Sequence, residues 1–282
     1  MKVIESVADM QQETLALRRA GKRIGFVPTM GYLHEGHLSL IRLARDRADI
    51  VVVSVFVNPT QFGPKEDFST YPRDIERDKQ LCRHEKADIF FAPDAEEMYA
   101  KDHSVYISDE KLAAGLCGAS RPGHFRGVDT VVAKLFNIVQ PDVAVFGEKD
   151  AQQLRIIRRL VRDINFPVEI VPGPTAREPG GLAMSSRNVL LKPEEREDAL
   201  CLRASLLLAE DLYGKGECDA GAIRKAMHQV IERAKTAKVD YIEIVDDETL
   251  GPVKTIKGPA LVAVAVKFSV TRLIDNTVLG RA

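Results

Sequence analysis

Short apolar runs alternate with helical patterns through the first 175 residues, and this alternation constrains the fold more than any other feature of the sequence. The strand-like runs are Ile24 to Val27, Ile50 to Val57, Asp88 to Phe91, Val143 to Phe146 and Val168 to Val171. The helical patterns span roughly residues 36–48, 74–86, 128–139 and 150–163. Strands that are apolar throughout predict a parallel sheet that is covered by helices on both faces.

The pattern changes after about Asn188. Two amphipathic patterns, over residues 193–213 and 220–237, precede strand-like runs at 241–245, 260–268 and 272–274. Helices followed by strands are typical of a small α+β domain. The sequence therefore predicts an α/β fold, with a Rossmann-like, doubly wound parallel sheet in residues 1–175 and a smaller α+β domain in residues 176–282.

Composition narrows the class of protein. The 282 residues are 45% hydrophobic and 29% charged, as in an ordinary globular protein of about two domains. The sequence has 40 basic and 41 acidic residues, so it carries no excess of positive charge, and we expect no nucleic-acid partner. No apolar stretch reaches the ~20 residues of a membrane span, and residues 1–12 lack a secretion signal, so we expect a cytoplasmic location and no membrane partner. The four cysteines form no C-x-x-C pair, so we expect no structural zinc.

The segment Pro28 to His37 lies between a predicted strand and a predicted helix. At a helix start the first backbone N–H groups lack partners, and the helix dipole favours a phosphate. His34 and His37 can face one ligand, and Gly36 leaves room for a phosphate or ribose to approach the backbone. A single histidine there is more often a cap or a surface group, but His-x-Gly-His at such a junction favours a nucleotide-phosphate site.

Ligands of open parallel sheets bind at the carboxyl ends of the strands. The runs that end at Val27, Val57, Phe146 and Val171 lead into the histidine segment, two polar turns and a long loop rich in glycine and proline. We therefore expect these four segments to converge on one edge of the sheet.

A charged turn, Gly147-Glu148-Lys149-Asp150, follows one of these runs. Gly147 permits a tight turn, and Lys149 offers a positive charge to a phosphate. Asp150 is about as suited to capping the next helix as to holding a magnesium ion. Gln153, one turn into that helix, is either a substrate contact or a solvated helix residue.

The loop from Pro172 to Asn188 ends in Met184-Ser185-Ser186-Arg187. Two hydroxyls and a guanidinium suit the oxygens of a polyphosphate. Such a tetrad is common on loops, and it gains weight only beside the His-x-Gly-His segment.

Asn58, Gln61 and Tyr71 lie in a long segment without periodicity, and loops of this length are often functional. Amide side chains orient a polar substrate such as a hydroxy acid without adding charge, although they also serve as turn residues that satisfy their own backbone. The stretch Arg121 to Gly127 is a basic, glycine-bearing loop before a helix, and His124 within it could simply be a helix-entry residue.

The His-x-Gly-His motif resembles that of the nucleotidyltransferase superfamily, whose members attack the α-phosphate of ATP and release pyrophosphate. Met184 to Arg187 resembles the second phosphate-binding motif of that superfamily, the counterpart of Lys-Met-Ser-Lys-Ser in class I aminoacyl-tRNA synthetases, except that Arg187 replaces its terminal part. From about Pro28 to Asn188 the chain resembles the pantoate–β-alanine ligase family. The motifs that carry this resemblance are Pro28 to His37, Phe56 to Phe62, Arg121 to Phe125, Phe146 to Gln153 and Met184 to Asn188.

The resemblance implies a two-step reaction. The carboxylate of (R)-pantoate attacks the α-phosphate of ATP to give pantoyl adenylate and pyrophosphate, and the amine of β-alanine then displaces AMP to form pantothenate. The catalytic residues that it implies are His34, His37 and Lys149, with His37 as the candidate proton donor. The implied ATP contacts are Met30, Gly31, His34, Gly36, His37, Gly147, Glu148, Lys149, Asp150, Ala176, Met184, Ser185, Ser186 and Arg187.

The resemblance also implies that Gln61 and Gln153 hold pantoate and that Gln61 lies beside β-alanine. We expect Asn58, Tyr71 and Arg121 at the same substrates. It implies magnesium with the polyphosphate, for which Asp150 is the candidate ligand, and a homodimer. We expect residues 176–282 to act as a lid that shields the acyl adenylate from water; the alternative is a domain that only stabilises the fold or a dimer.

Two other classes stay open at this point. An adenylyltransferase that forms a dinucleotide would share His-x-Gly-His but would use a phosphate as its nucleophile. A non-catalytic nucleotide-binding regulator would keep the fold and lose the charged groups, which Lys149 and His37 argue against. A histidine-based metal hydrolase is disfavoured because neither H-x-x-E-H nor H-E-x-x-H occurs.

Overall fold

The computed structural model describes residues 1–64 and 66–281. The strands are β1 (Lys2–Ile4), β2 (Ile24–Thr29), β3 (Ile50–Val55), β4 (Ile89–Phe91), β5 (Val143–Gly147), β6 (Glu169–Gly173), β7 (Ala237–Asp246), β8 (Ala260–Phe268) and β9 (Thr271–Leu279). The α-helices are α1 (Val7–Arg19), α2 (Glu35–Arg45), α3 (Ile75–His84), α4 (Ala95–Met98), α5 (Leu116–Ser120), α6 (His124–Val139), α7 (Ala151–Ile164), α8 (Pro193–Asp198), α9 (Cys201–Gly214) and α10 (Ala220–Ile231). Short 3-10 helices cover Pro59–Gln61, Glu148–Asp150 and Ser186–Leu190.

The chain divides into two units. The first holds residues 1–113, 121–148 and 153–174, and the second holds 114–120, 149–152 and 175–282. The sequence placed a single boundary after residue 175, and it did not indicate that the two short segments group with the later part of the chain. A division into domains 1–175 and 176–282 therefore stays a prediction.

The first unit contains a six-stranded sheet in the order β1-β4-β3-β2-β5-β6, in which every pairing is parallel. This confirms the predicted α/β fold with a doubly wound sheet. The chain runs outward in one direction from β2 to β3 and β4, and in the other direction through β5 to β6. The strand order therefore reverses between β2 and β5, where doubly wound sheets bind their ligands.

Buried aliphatic and aromatic side chains hold α2 against this sheet. Val27, Val53 and Phe90 on the strands and Ile41 and Ala44 on the helix share one core cluster and are fully buried. Each large side chain that is buried in this way stabilises the fold by about 1.5–3 kcal/mol. The helix whose first turn carries the two histidines is therefore firmly anchored.

The second unit contains an antiparallel sheet in the order β7-β8-β9 and the helices α9 and α10. Leu206 and Met227 on the helices and Val262, Val264 and Phe268 on β8 belong to its core cluster. The predicted helices followed by strands are confirmed as an α+β arrangement. No helix among residues 1–64 and 66–281 is both long and apolar enough to cross a membrane.

The structure corrects several predicted bounds. The helical pattern over 193–213 is two helices, α8 and α9. At the end of α8 the carboxylate of Asp198 accepts the backbone N–H and hydroxyl of Thr236, at 2.8 and 2.7 Å. Helix α10 ends at Ile231 rather than at residue 237, where β7 begins. Strand β3 ends at Val55 rather than at Val57, and a 3-10 helix follows from Pro59 to Gln61. The elements β1, α1, α4 and α5 were not predicted from the sequence.

Candidate functional site

The two histidines lie at the start of α2, directly after the loop that leaves β2. His34 is the N-cap of α2 in an extended conformation, and His37 lies in its first turn. Their ring centroids are 4.1 Å apart, so the rings lie against each other and can share one ligand. The backbone N–H of His34 donates to Nδ1 of His37 at 3.3 Å. Because Nδ1 accepts this bond, the neutral ring of His37 carries its proton on Nε2.

A buried carboxylate that the sequence analysis missed shapes the loop before these histidines. Asp78 on α3 accepts the backbone N–H groups of Tyr32 and Leu33, each at 2.7 Å. Burial raises the pKa of Asp78, while these two hydrogen bonds act in the opposite direction. Gly31 has a φ of 83°, and a Cβ there would lie 2.8 Å from Val55 and 3.0 Å from Asp78, so only glycine fits. An acidic residue four positions into a helix gives no sequence signal for this role.

Asn58 and Gln61 form a buried amide pair at the 3-10 helix after β3. Nδ2 of Asn58 donates to Oε1 of Gln61 at 3.0 Å and to the carbonyl of Gly127 at 3.1 Å. Oδ1 of Asn58 accepts from the hydroxyls of Thr60 and Tyr99, both at 2.9 Å. Asn58 therefore uses its amide to orient Gln61, and its direct contact with a substrate stays a prediction.

The amide nitrogen of Gln61 lies beside the loop that precedes the two histidines. Nε2 of Gln61 donates to the sulfur of Met30 at 3.1 Å, which places a predicted substrate residue next to a predicted ATP residue. Gly127 on α6 makes this placement possible, because a Cβ there would lie 2.5 Å from the carbonyl oxygen of Thr60 and 2.6 Å from Cα of Gln61.

Arg121 and His124 reach the same segment through a charged network. Nδ1 of His124 donates to the carbonyl of Gln61 at 2.9 Å, and its Nε2 accepts from Arg121 at 3.0 Å. Arg121 also forms a two-point ion pair with Glu66, with both bonds at 2.7 Å. Burial would raise the pKa of Glu66, but the hydrogen bonds and charge of Arg121 outweigh it and hold this pKa at about 2. The sequence did not predict a role for Glu66, and it left the role of His124 open.

Tyr71 lies in the same unit and is buried, with its ring packed edge-on against Phe62 at a centroid distance of 5.8 Å. The role of Tyr71 at a substrate stays a prediction.

Gln153 is partly exposed on α7. The neighbouring Gln152 is buried and binds the segment before α5, accepting the N–H of Cys117 and donating to the carbonyl of Gly115, both at 2.9 Å.

The turn from Gly147 to Asp150 follows β5 as predicted. Gly147 pairs with Gly173 at the carboxyl ends of β5 and β6. The side chain of Lys149 is 19% exposed and that of Asp150 is 49% exposed, and Nζ of Lys149 lies 4.0 Å from Oδ1 of Asp150. The backbone carbonyl of Lys149 accepts Nδ2 of Asn276 at 2.9 Å.

Ala176 and the Met184–Arg187 tetrad are brought together in the second unit. The N–H of Met184 donates to the carbonyl of Ala176 at 2.9 Å. Ser185 caps the following 3-10 helix by accepting the N–H of Arg187 at 3.2 Å, and Ser186 is buried. The hydroxyl of Ser185 therefore already has a structural bond.

Among the described residues, no group of three or more histidine, cysteine, aspartate or glutamate side chains could hold a metal ion. The single, half-exposed carboxylate of Asp150 does not hold Mg²⁺ by itself. It fits the way in which proteins hold magnesium together with a nucleotide, through one or two carboxylates and several phosphate oxygens.

Comparisons with known proteins agree over nearly the whole chain. The family model of pantoate-beta-alanine ligase matches residues 2–278. Pantothenate synthetase of Thermotoga petrophila is 58% identical over 99% of this chain and 100% of its own length. The crystal structure of pantothenate synthetase from Thermus thermophilus is 47% identical, with a TM-score of 0.93, and the match covers 98% of this chain and 99% of that one.

A second solved structure contains ligands. The pantoate-beta-alanine ligase of Francisella tularensis, complexed with beta-gamma ATP and beta-alanine, is 33% identical, with a TM-score of 0.82 and a coverage of 98% of this chain and 97% of that one. A full-length family match and relatives of this identity settle the assignment. The chain belongs to the pantoate-beta-alanine ligase family and is a ligase that forms pantothenate.

Proposed function

We propose that this ligase activates pantoate with ATP and passes through a pantoyl-adenylate intermediate. In the first step a carboxylate oxygen of pantoate bonds to the α-phosphorus of ATP, the bond from that phosphorus to the bridging oxygen breaks, and pyrophosphate leaves. In the second step the amine of β-alanine attacks the acyl carbon, the acyl carbon–oxygen bond breaks, and AMP leaves. The ATP and β-alanine in the related Francisella tularensis structure support both substrates.

The observation that carries this proposal is the pairing of His34 and His37 at the first turn of α2. Negative charge develops on the phosphate oxygens as the carboxylate attacks. The start of a helix and the Nε2–H of His37 are donors that can stabilise this charge without rearrangement. The hydrogen bond from His34 to Nδ1 keeps the proton of His37 on Nε2, and that proton is the one it would donate.

The remaining roles follow the family resemblance, residue by residue. We assign ATP contacts to Met30, Gly31, His34, Gly36, His37, Gly147, Glu148, Lys149, Asp150, Ala176, Met184, Ser185, Ser186 and Arg187. We assign pantoate to Gln61 and Gln153, and β-alanine to the neighbourhood of Gln61, with Asn58, Tyr71 and Arg121 as further substrate residues. The bond from Gln61 to Met30 supports a carboxylate site close to an ATP-binding segment.

Magnesium would be held by Asp150 together with the phosphates of ATP. It would neutralise part of the polyphosphate charge and so ease the departure of pyrophosphate. A homodimer and a cytoplasmic location are further proposals, and the family resemblance is their support.

The test follows the transfer of a carboxylate oxygen from pantoate to AMP. We expect the protein, supplied with ATP, magnesium, β-alanine and pantoate that carries ¹⁸O in its carboxylate, to form pantothenate and AMP, with one labelled oxygen in the phosphate of AMP. Without β-alanine, pyrophosphate should form in an amount no greater than the enzyme. Unlabelled AMP, or label in inorganic phosphate together with ADP, would contradict the adenylate pathway. Pyrophosphate release without amide formation would favour an adenylyltransferase.

A further inference from the structure

We propose that β9 positions the two segments of the second unit that we assign to the ATP phosphates. Asn276 holds Lys149, and Asp275 holds the segment from Ala176 to Arg187 through Arg177. The inference rests on the proposed function, because it takes the ATP roles of Lys149 and Arg187 from there. Asp275, Asn276 and Arg177 would be positioning residues, which act through the backbone that they hold.

The centre of the arrangement is the buried carboxylate of Asp275. Its two oxygens accept the two terminal nitrogens of Arg177, at 2.6 and 3.0 Å, and Oδ1 also accepts the N–H of Asn276 at 2.8 Å. Taking a carboxylate out of water is unfavourable unless it is paired and hydrogen-bonded. A planar guanidinium that binds both oxygens meets this need in one fixed orientation, which a lysine cannot reproduce.

Arg177 carries this orientation into the loop that precedes the phosphate-binding tetrad. Its Nη1 also donates to the carbonyl of Gly181 at 3.1 Å, and its backbone pairs with that of Ala183. The loop is thus an irregular hairpin, and the guanidinium of Arg177 links its two sides through the carbonyl of Gly181. At its open end, Met184 donates to Ala176, so both predicted ATP segments lie directly at the end of this hairpin.

The loop is tied on its far side as well. Nδ2 of Asn188 donates to Glu178 at 2.8 Å and to the carbonyl of Ala183 at 3.1 Å, and Arg196 forms an ion pair with Glu178. These bonds fix the 3-10 helix that contains Arg187 against the same hairpin. We therefore expect a substitution of Asp275 to displace the segment from Met184 to Arg187 as a whole, rather than to make only the residues next to Asp275 more mobile.

Asn276 acts on the other segment. Its Nδ2 donates to the carbonyl of Lys149 at 2.9 Å, in the 3-10 helix that leads into α7. Adjacent residues of a strand point to opposite faces, so Asp275 and Asn276 reach different partners from one backbone position. One strand thereby sets the place of Lys149 and of the tetrad together, which matters because both must meet phosphates of a single ATP molecule.

The experiment compares the two half-reactions in Asn276→Ala and Arg177→Lys. Asn276→Ala removes the hydrogen bond to the carbonyl of Lys149, and Arg177→Lys keeps the charge but loses the two-point geometry. Asp240→Asn is the control, because Asp240 on β7 forms an ion pair at 2.8 Å with Arg272, which lies on β9, and neither residue belongs to the two phosphate-binding segments. The measurements are ATP-dependent pyrophosphate release in a single turnover, the KM for ATP, amide formation from synthetic pantoyl adenylate with β-alanine, and the melting temperature.

We expect kcat/KM for ATP to fall by about 3- to 10-fold in Asn276→Ala and by about tenfold or more in Arg177→Lys, as the loss of neutral and charge-assisted hydrogen bonds predicts. Amide formation from the synthetic intermediate should stay near the parent rate in both, and Asp240→Asn should match the parent in both assays. Equal losses in the two half-reactions, in proportion to a lower melting temperature, would overturn the inference in favour of a merely structural role.

Lys149→Ala and Arg187→Ala separate this inference from the proposed function. If these two variants lose pyrophosphate release while Asn276→Ala and Arg177→Lys retain it, the positioning role of β9 is wrong and the ATP assignments stand. If Lys149→Ala and Arg187→Ala release pyrophosphate at the parent rate, the ATP assignments themselves fail.

Discussion

The carboxylate of Asp78 accepts the backbone N–H of Leu33 at 2.7 Å, although the two residues lie 45 positions apart in the sequence. With its second bond, to the N–H of Tyr32, it holds a loop in which Tyr32 itself has a φ of 49°. A non-glycine residue in this left-handed conformation costs of order 1–3 kcal/mol and persists only when its surroundings enforce it. Asp78 supplies that constraint immediately before the two histidines of α2.

The first prediction concerns Asp78→Ala. Two backbone N–H groups would lose their acceptor and the loop its constraint, so we expect the free energy of unfolding to fall by about 1–3 kcal/mol and pyrophosphate release to slow by a larger factor than stability explains. Urea unfolding and single-turnover kinetics measure the two effects. Asp74→Ala is the control, because Asp74 is the N-cap of the same helix and accepts the N–H of Arg77; it should lose about 1 kcal/mol of stability and keep its activity. Parent-like pyrophosphate release in Asp78→Ala would contradict the prediction.

The second prediction concerns Gly127→Ala. The new methyl group would lie 2.5 Å from the carbonyl of Thr60 and 2.6 Å from Cα of Gln61, all backbone atoms that cannot swing aside. We expect α6 or the Gln61 segment to shift, with a loss of about 1–3 kcal/mol of stability and a raised KM for pantoate. Steady-state kinetics at varied pantoate check this. Gly258→Ala is the matched control, since no atom lies within 4 Å of a Cβ there; an unchanged KM for pantoate in Gly127→Ala would disprove the role of this close contact.

The third prediction uses the hydrogen bond between His34 and His37. His37→Asn places an amide where Nδ1 stood, and His37→Gln places one where Nε2 stood. If Nε2–H is the working donor, His37→Asn should slow adenylation by about 100- to 1000-fold, and His37→Gln should retain about tenfold more activity, the worth of one hydrogen bond. Single-turnover release of pyrophosphate measures both. His84→Ala, at an 83% exposed side chain, should match the parent. The reverse order of the Asn and Gln variants would assign the proton to Nδ1.

The fourth prediction concerns the pH dependence of stability. Burial, joined by the nearby charge of Asp109, raises the pKa of Asp129 from 3.8 to about 7, although its Oδ2 accepts the N–H of Asp109 at 3.0 Å. A carboxyl whose pKa is raised by folding contributes stability below the pKa of the unfolded chain and loses it as pH rises through the folded value. A shift of this size corresponds to ~4 kcal/mol, lost between about pH 4 and pH 7.

Asp129→Asn imitates the protonated acid and should remove this dependence. We expect the variant and the parent to differ little in urea midpoint at pH 4, and the variant to be the more stable at pH 8. Comparing the two proteins at each pH cancels the titration of all other groups. A parent protein that is at least as stable as the variant at pH 8 would show that Asp129 ionises in the fold without penalty.

The fifth prediction concerns residues 172–188. We expect ATP together with pantoate to slow backbone hydrogen exchange in this segment, as a lid that excludes water from an acyl adenylate requires. Exchange measured with and without the two ligands, with tight binding confirmed in the same sample, checks this. Unchanged protection in this segment and in α9 and α10 would leave residues 176–282 with a structural role only.

Local patterns determined a large part of this protein. The apolar runs predicted strands β2 to β6, and the His-x-Gly-His segment predicted a strand-to-helix junction at which the structure places His34 and His37. These features follow from side-chain periodicity and from the chemistry of a helix start, both of which lie within a few residues of sequence. The family was recognisable for the same reason, because its motifs are short and contiguous.

The tertiary structure decided which distant residues meet. Asp78 with Leu33, Glu66 with Arg121, and Asp275 with Arg177 are carboxylates whose partners lie 45 to 98 positions away. An acidic residue looks the same in sequence whether it faces water or a buried donor. Its role is set by burial and by the geometry of packing, and these exist only once the strands have taken their order and the helices have docked against them.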